Sequence, residues 1–140
     1  MKMSKLFLLI FVSFFIFGLK SFTIAQSEPV LYFCENFTSS GEVGISDIFT
    51  TGFITIVAKC DHNLGLTDCQ IEYDKLDSTQ TKFEFYKLFD FTIQPDMNYI
   101  YFTKNDNSDL SFDEPGIYRV LLLDNKNERI ASSLIQIVSK

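Results

Sequence analysis

The sequence predicts an all-β protein: an antiparallel β-sandwich of about seven strands behind a cleavable leader. Three observations predict it. No stretch beyond residue 25 keeps a helical apolar period. The apolar residues come instead in short alternating runs dominated by Phe, Tyr, Ile, Val and Thr, which suit a pleated, half-buried surface. Turn-forming clusters such as DSTQT (77–81) and DNKNE (124–128) separate the runs at fairly regular intervals.

The elements follow in order. PVLYFCENF (29–37) reads as the first strand, and residues 38–52 as a long connection carrying three glycines. FITIVAKC (53–60) places Ile54, Ile56, Ala58 and Cys60 on one face. CQIEYDKLD (69–77) alternates Ile71 and Tyr73 against Gln70, Glu72 and Asp74. KFEFYKLFDFTI (82–93) alternates until Leu88–Phe89, where the pattern blurs and a bulge is expected. MNYIYFT (97–103), GIYRVLLLD (116–124) and ERIASSLIQIVS (128–139) complete the set, the last two as a hairpin.

The first 25 residues have another character. Lys2 and Lys5 precede an apolar run from Leu6 to Leu19, and the small residues Thr23 and Ala25 precede Gln26. This is the layout of a bacterial Sec-type signal peptide, so residues 26–140 form one domain, secreted or periplasmic. An uncleaved leader would be the chain's one link to a membrane. The leader holds three of the twelve basic residues and none of the eighteen acids, so the remaining chain carries a net charge of −9. An acidic domain without a basic stripe argues against nucleic acid as a partner.

Three cysteines enter the oxidising compartment that such a leader implies. Cys60 and Cys69 flank the loop DHNLGLTD and are expected to bridge the mouth of a hairpin, leaving Cys34 as a buried small hydrophobe.

Within SFDEPGIYRVLLLDN (111–125), an acid, a glycine, a tyrosine and a core residue fall at Glu114, Gly116, Tyr118 and Val120. This spacing resembles the tyrosine corner of immunoglobulin-like and fibronectin-type-III-like sandwiches. The resemblance implies that the Tyr118 hydroxyl bonds back to the main chain at a crossover between sheets. It extends to architecture alone: the chain has no tryptophan, and Val120 stands where antibody-type domains carry a cysteine. A fold of this kind hosts many functions.

Catalytic chemistry finds little footing. The one histidine, His62, reads as a solvated loop residue; it has no recognisable nucleophile turn to serve, and no second histidine to share a metal. Asp113 and Glu114 are adjacent at a turn, where capping explains them more simply than glycoside hydrolysis. Asp106, Asp109 and Asp113 offer oxygen ligands for calcium without the spacing of the twelve-residue calcium loop. No cofactor is expected. What remains is an aromatic strip. If Ile100 and Phe102 face the core, then Met97, Tyr99 and Tyr101 face outward, with Tyr86 as a possible neighbour. The chain therefore reads as a non-catalytic module that works by contact with another envelope or extracellular protein. The alternative is a carbohydrate-binding module that stacks sugars on the tyrosines.

Overall fold

The computed structural model describes residues 26–140; the expected signal peptide lies outside the described residues. The described chain is all-β. Its elements are β1 (Val30–Thr38), β2 (Gly41–Ser46), β3 (Ile48–Thr50), β4 (Gly52–Phe53), β5 (Thr55–Lys59), β6 (Asp68–Leu76), β7 (Phe83–Thr92), β8 (Tyr99–Phe102), β9 (Ser111–Phe112), β10 (Gly116–Asp124) and β11 (Arg129–Val138).

They form a four-stranded sheet in the order β2-β1-β5-β8, a five-stranded sheet in the order β3-β11-β10-β6-β7, and a small β4-β9 pair. Every pairing is antiparallel except β3 with β11, which is parallel and makes the larger sheet mixed. The expected connection at 38–52 is in fact the site of β2, β3 and the start of β4. Glycines interrupt the alternation there, and Gly41 and Gly44 both take positive φ, so the strand signal is broken up.

Alternation sets the core. Leu31, Phe33, Ile56, Ala58, Ile100 and Phe102 of the smaller sheet share one buried cluster with Ile71, Tyr73, Tyr118, Val120, Leu122 and Ile135 of the larger. Phe91 of β7 meets Phe102 of β8 edge-on, with ring centroids 5.0 Å apart. β10, central in its sheet, is buried almost throughout.

Two hairpins are closed by side-chain caps. Asp77 Oδ1 accepts from the backbone N–H of Thr81 at 2.8 Å, and Asp124 Oδ1 from those of Lys126 and Glu128 at 2.8 Å each. β7 is bulged opposite Tyr73/Asp74: Tyr73 pairs Lys87 and Asp74 pairs Phe85, so Tyr86 is the extra residue. The irregularity lies just before the Leu88–Phe89 position where the sequence pattern blurs.

At the crossover, the Tyr118 hydroxyl donates to the Glu114 carbonyl oxygen at 2.8 Å. The ring sits edge-on to Phe112, and Phe112 stacks on Tyr73 with centroids 4.2 Å apart. Burial pushes the Tyr118 hydroxyl pKa well above its ordinary value, so it remains a donor at every physiological pH. Gly116 has φ +156, and a Cβ there would come within 3.0 Å of the Lys75 side chain.

The fully buried cysteine is not confined to Cys34. Cys69 is also buried, on the inner face of β6, while Cys60 lies just past the end of β5. The expected Cys60–Cys69 bridge is absent: all three cysteines are free. The two positions belong to different sheets rather than to one hairpin, which is why flanking a loop did not make them partners. Burial raises the Cys69 thiol to about 11, so it is inert as a nucleophile.

Tyr118→Phe is expected to lower unfolding free energy by about 1–3 kcal/mol, the cost of losing the hydrogen bond from a buried tyrosine to the Glu114 carbonyl. Phe112→Ala is expected to cost more, about 3–5 kcal/mol, as a cavity in a ring-packed core. Urea denaturation of the two variants beside the parent checks both magnitudes and their order.

Candidate functional site

The outer face of the smaller sheet carries the tyrosine strip. Ile100 and Phe102 are buried in the core, while Met97, Tyr99 and Tyr101 are exposed, Tyr101 by 51%. The strip is not bare. After Cys34, β1 parts from β5 and continues paired with β2 alone. Phe37 stacks on Tyr101, with centroids 4.0 Å apart and planes 11° from parallel, and lies edge-on to Tyr99. Glu42, the partner of Phe37 across the hairpin, accepts hydrogen bonds through one carboxylate oxygen from both the Tyr32 and Tyr99 hydroxyls. The β1–β2 hairpin therefore folds back over this face. That explains why Cys34 and Val57, which point away from the main core, are fully buried.

The two tyrosine hydroxyls hold the Glu42 carboxyl down at about 2. Both hydroxyls move upward in pKa in return, Tyr32 chiefly through burial and Tyr99 chiefly through its bond to Glu42.

Tyr86 lies elsewhere. As the bulged residue of β7 it turns inward onto Tyr118, with centroids 5.4 Å apart, between the ammonium groups of Lys75 and Lys87. It is corrected from strip neighbour to core flank: β7 is an edge strand of the larger sheet whereas the strip lies along β8 of the smaller one, and the bulge sets Tyr86 against Tyr118.

The acids of the corner are held by lysines. Lys87 Nζ donates to Asp113 Oδ2 at 2.6 Å and to the Ser111 carbonyl at 3.0 Å. The Lys87 and Ser111 bonds hold the Asp113 carboxyl below the usual carboxylate range. Glu114 pairs with Lys75. Asp106, Asp109 and Asp113 do not converge on a point: among the described residues, the group of three donor side chains close enough to share an ion is Cys60, Asp61 and His62.

That group was not legible as a site in the sequence, where His62 reads as solvated. In the structure His62 Nδ1 lies 3.1 Å from Cys60 Sγ and 2.7 Å from Asp61 Oδ1. The His62 bond, followed by one from Ser27, lowers the Asp61 carboxyl pKa. The loop is pinned to the chain before β8 by backbone bonds from Cys60 N to Asn98 O, Leu64 N to Met97 O, and Gly65 N to Pro95 O, at 2.8–2.9 Å.

The outer face of the larger sheet is different again. Register aligns Leu134, Arg119, Asp74 and Phe85 in one row across four strands, and Ser132, Leu121, Glu72 and Leu88 in the next. Arg119 binds the buried Asp74 through Nη2 at 2.6 Å and Nε at 3.1 Å, and lies over the Phe83 ring. Burial, then the neighbouring Asp74, raises the Glu72 carboxyl pKa. Phe85 (66% exposed), Leu134 (56%), Leu88 and Ile117 stand out of this face with nothing from the described chain over them.

No protein-family model matches the chain, and no curated protein matches it at a significant level.

Glu42 yields a pH prediction. Its folded carboxyl is depressed, so its contribution to stability is present above the unfolded pKa of about 4.3 and fades as pH falls towards about 2. The stability gap between the parent protein and Glu42→Gln should therefore narrow between about pH 5 and pH 2. Chemical unfolding of both proteins across that range tests it; a gap independent of pH would contradict the assignment.

Proposed function

We propose that the protein is a secreted, non-catalytic, immunoglobulin-like β-sandwich module that works by protein–protein contact in the cell envelope or outside the cell. The observation that carries this reading is the uncovered outer face of the larger sheet. Phe85, Leu88, Leu134 and Ile117 present apolar area on a broad sheet face, around an Arg119–Asp74 pair whose geometry is already set. Phe85 and Leu88 on β7 and Leu134 and Ile117 on β11 and β10 flank that pair from its two sides, and exposed apolar and aromatic side chains set around an Arg are the kind of anchors that interaction surfaces use. The corner acids support a non-catalytic role, since Lys75 and Lys87 neutralise them.

The immunoglobulin-like assignment rests on two sheets sharing one core and on the Tyr118–Glu114 bond at the crossover. Secretion rests on the leader sequence alone.

The carbohydrate reading is the weaker of the two. Tyr99 and Tyr101 do point outward, but Phe37 already occupies one face of the Tyr101 ring, and the Tyr99 hydroxyl is committed to Glu42.

A partner retained by the parent protein from an envelope extract should be lost with Phe85→Asp plus Leu134→Asp and kept with Tyr99→Ala plus Tyr101→Ala. Circular dichroism of both double variants establishes that each is folded before retention is compared. The reverse pattern, together with glycan-array binding that depends on Tyr99 and Tyr101, would transfer the function to the tyrosine strip.

A further inference from the structure

We propose that Cys60, Asp61 and His62 form a binding site for a single borderline-soft divalent transition-metal ion of the zinc class. The side chains supply a sulfur, a nitrogen and an oxygen, with Sγ–Nδ1 at 3.1 Å, Nδ1–Oδ1 at 2.7 Å and Sγ–Oδ1 at 3.8 Å. Donors around a tetrahedral zinc, at about 2.3 Å for sulfur and about 2.0 Å for nitrogen and oxygen, stand about 3.3–3.5 Å apart. The three separations bracket that range, and small side-chain rotations close the difference.

The same geometry excludes the obvious rival, a Cys-His-Asp nucleophile. In that arrangement the carboxylate orients the imidazole through one ring nitrogen while the other faces the nucleophile. Here the sulfur and the carboxylate both approach Nδ1 most closely. With both groups on one nitrogen, the imidazole does not stand between carboxylate and sulfur as a relay requires.

The donor chemistry fixes the class of ion. Thiolate with imidazole favours zinc-like metals over calcium or magnesium, which take oxygen ligands. The loop is held by its three backbone bonds to the segment before β8, so the donors are presented on anchored chain. Asp61 is exposed, and three protein donors leave a fourth position open to water, the layout of an open rather than a closed zinc site. Cys60 is the one half-exposed thiol; Cys34 and Cys69 are buried and cannot compete.

The test is cobalt(II) titration of the reduced, untagged protein, read by optical absorption and followed by zinc(II) displacement. A thiolate-to-cobalt charge-transfer band saturating at one equivalent is expected, and zinc should abolish it. Cys60→Ser should remove the band, and His62→Ala should weaken binding by more than about tenfold. Cys34→Ala and Cys69→Ala should keep the band. Circular dichroism of each variant establishes that it is folded. Absence of the band in the folded parent, or its survival in Cys60→Ser, would overturn the proposal.

Discussion

Five aromatic rings in unbroken contact hold the crossover to the larger sheet. Phe89 meets Tyr73, Tyr73 stacks on Phe112, Phe112 meets Tyr118, and Tyr118 meets Tyr86. Four of these belong to strands of the five-stranded sheet. Phe112 belongs to the two-residue β9, on the stretch that carries the chain from β8 to β10. The crossover is thus fastened by one ring set between two others, and the Tyr118 hydroxyl ties the same stretch by its bond to Glu114. Ring pairs of this kind contribute about 0.5–1.5 kcal/mol each beyond the area they bury. Lysines 75 and 87 finish the arrangement by neutralising Glu114 and Asp113 at its surface.

Strands with uninterrupted alternation were legible in the sequence. β6, β10 and β11 fall within a residue or so of their expected bounds, because Ile71/Tyr73 and Tyr118/Val120/Leu122 face one core. β2 and β3 were not, because glycines and short lengths erase the period at the sheet edges. β4 and β9 are two residues each and carry no periodic signal. Tyr86 shows another limit: period-two reasoning gives a side chain's face within its strand and not the sheet to which the strand belongs, and β7 lies in the larger sheet while Tyr99 and Tyr101 lie in the smaller.

The candidate sites divide in the same way. The outward direction of Tyr99 and Tyr101 follows from Ile100 and Phe102 facing inward, and period-two reasoning reaches that far. The hairpin laid over them does not follow, since Phe37 and Glu42 are separated from Tyr99 by more than fifty residues of chain. The Cys60–Asp61–His62 group escaped for the opposite reason. Three neighbouring residues in a turn have no periodicity, and a lone histidine in a polar loop is indistinguishable by sequence from a solvated one. Only the direction of the three side chains brings sulfur, nitrogen and oxygen together.

The two outer faces show what alternation can and cannot decide. Both sheets send every second residue outward. On the smaller sheet the chain supplies its own cover, so Cys34 and Val57 are as dry as the main core, and the Glu42 carboxylate is spent on two internal hydroxyls. On the larger sheet no described segment provides a cover, and Phe85 and Leu134 stay in water beside an ion pair that is already desolvated on the Asp74 side. Exposed apolar area is costly in proportion to its extent. A partner that covered this face would recover that cost without having to order Arg119, which Asp74 and the Phe83 ring already hold in place. Period-two alternation thus leads to opposite outcomes on the two sheets: the smaller sheet's outer face is covered because β1 parts from β5 and folds back with β2, and the larger sheet has no such hairpin among the described residues.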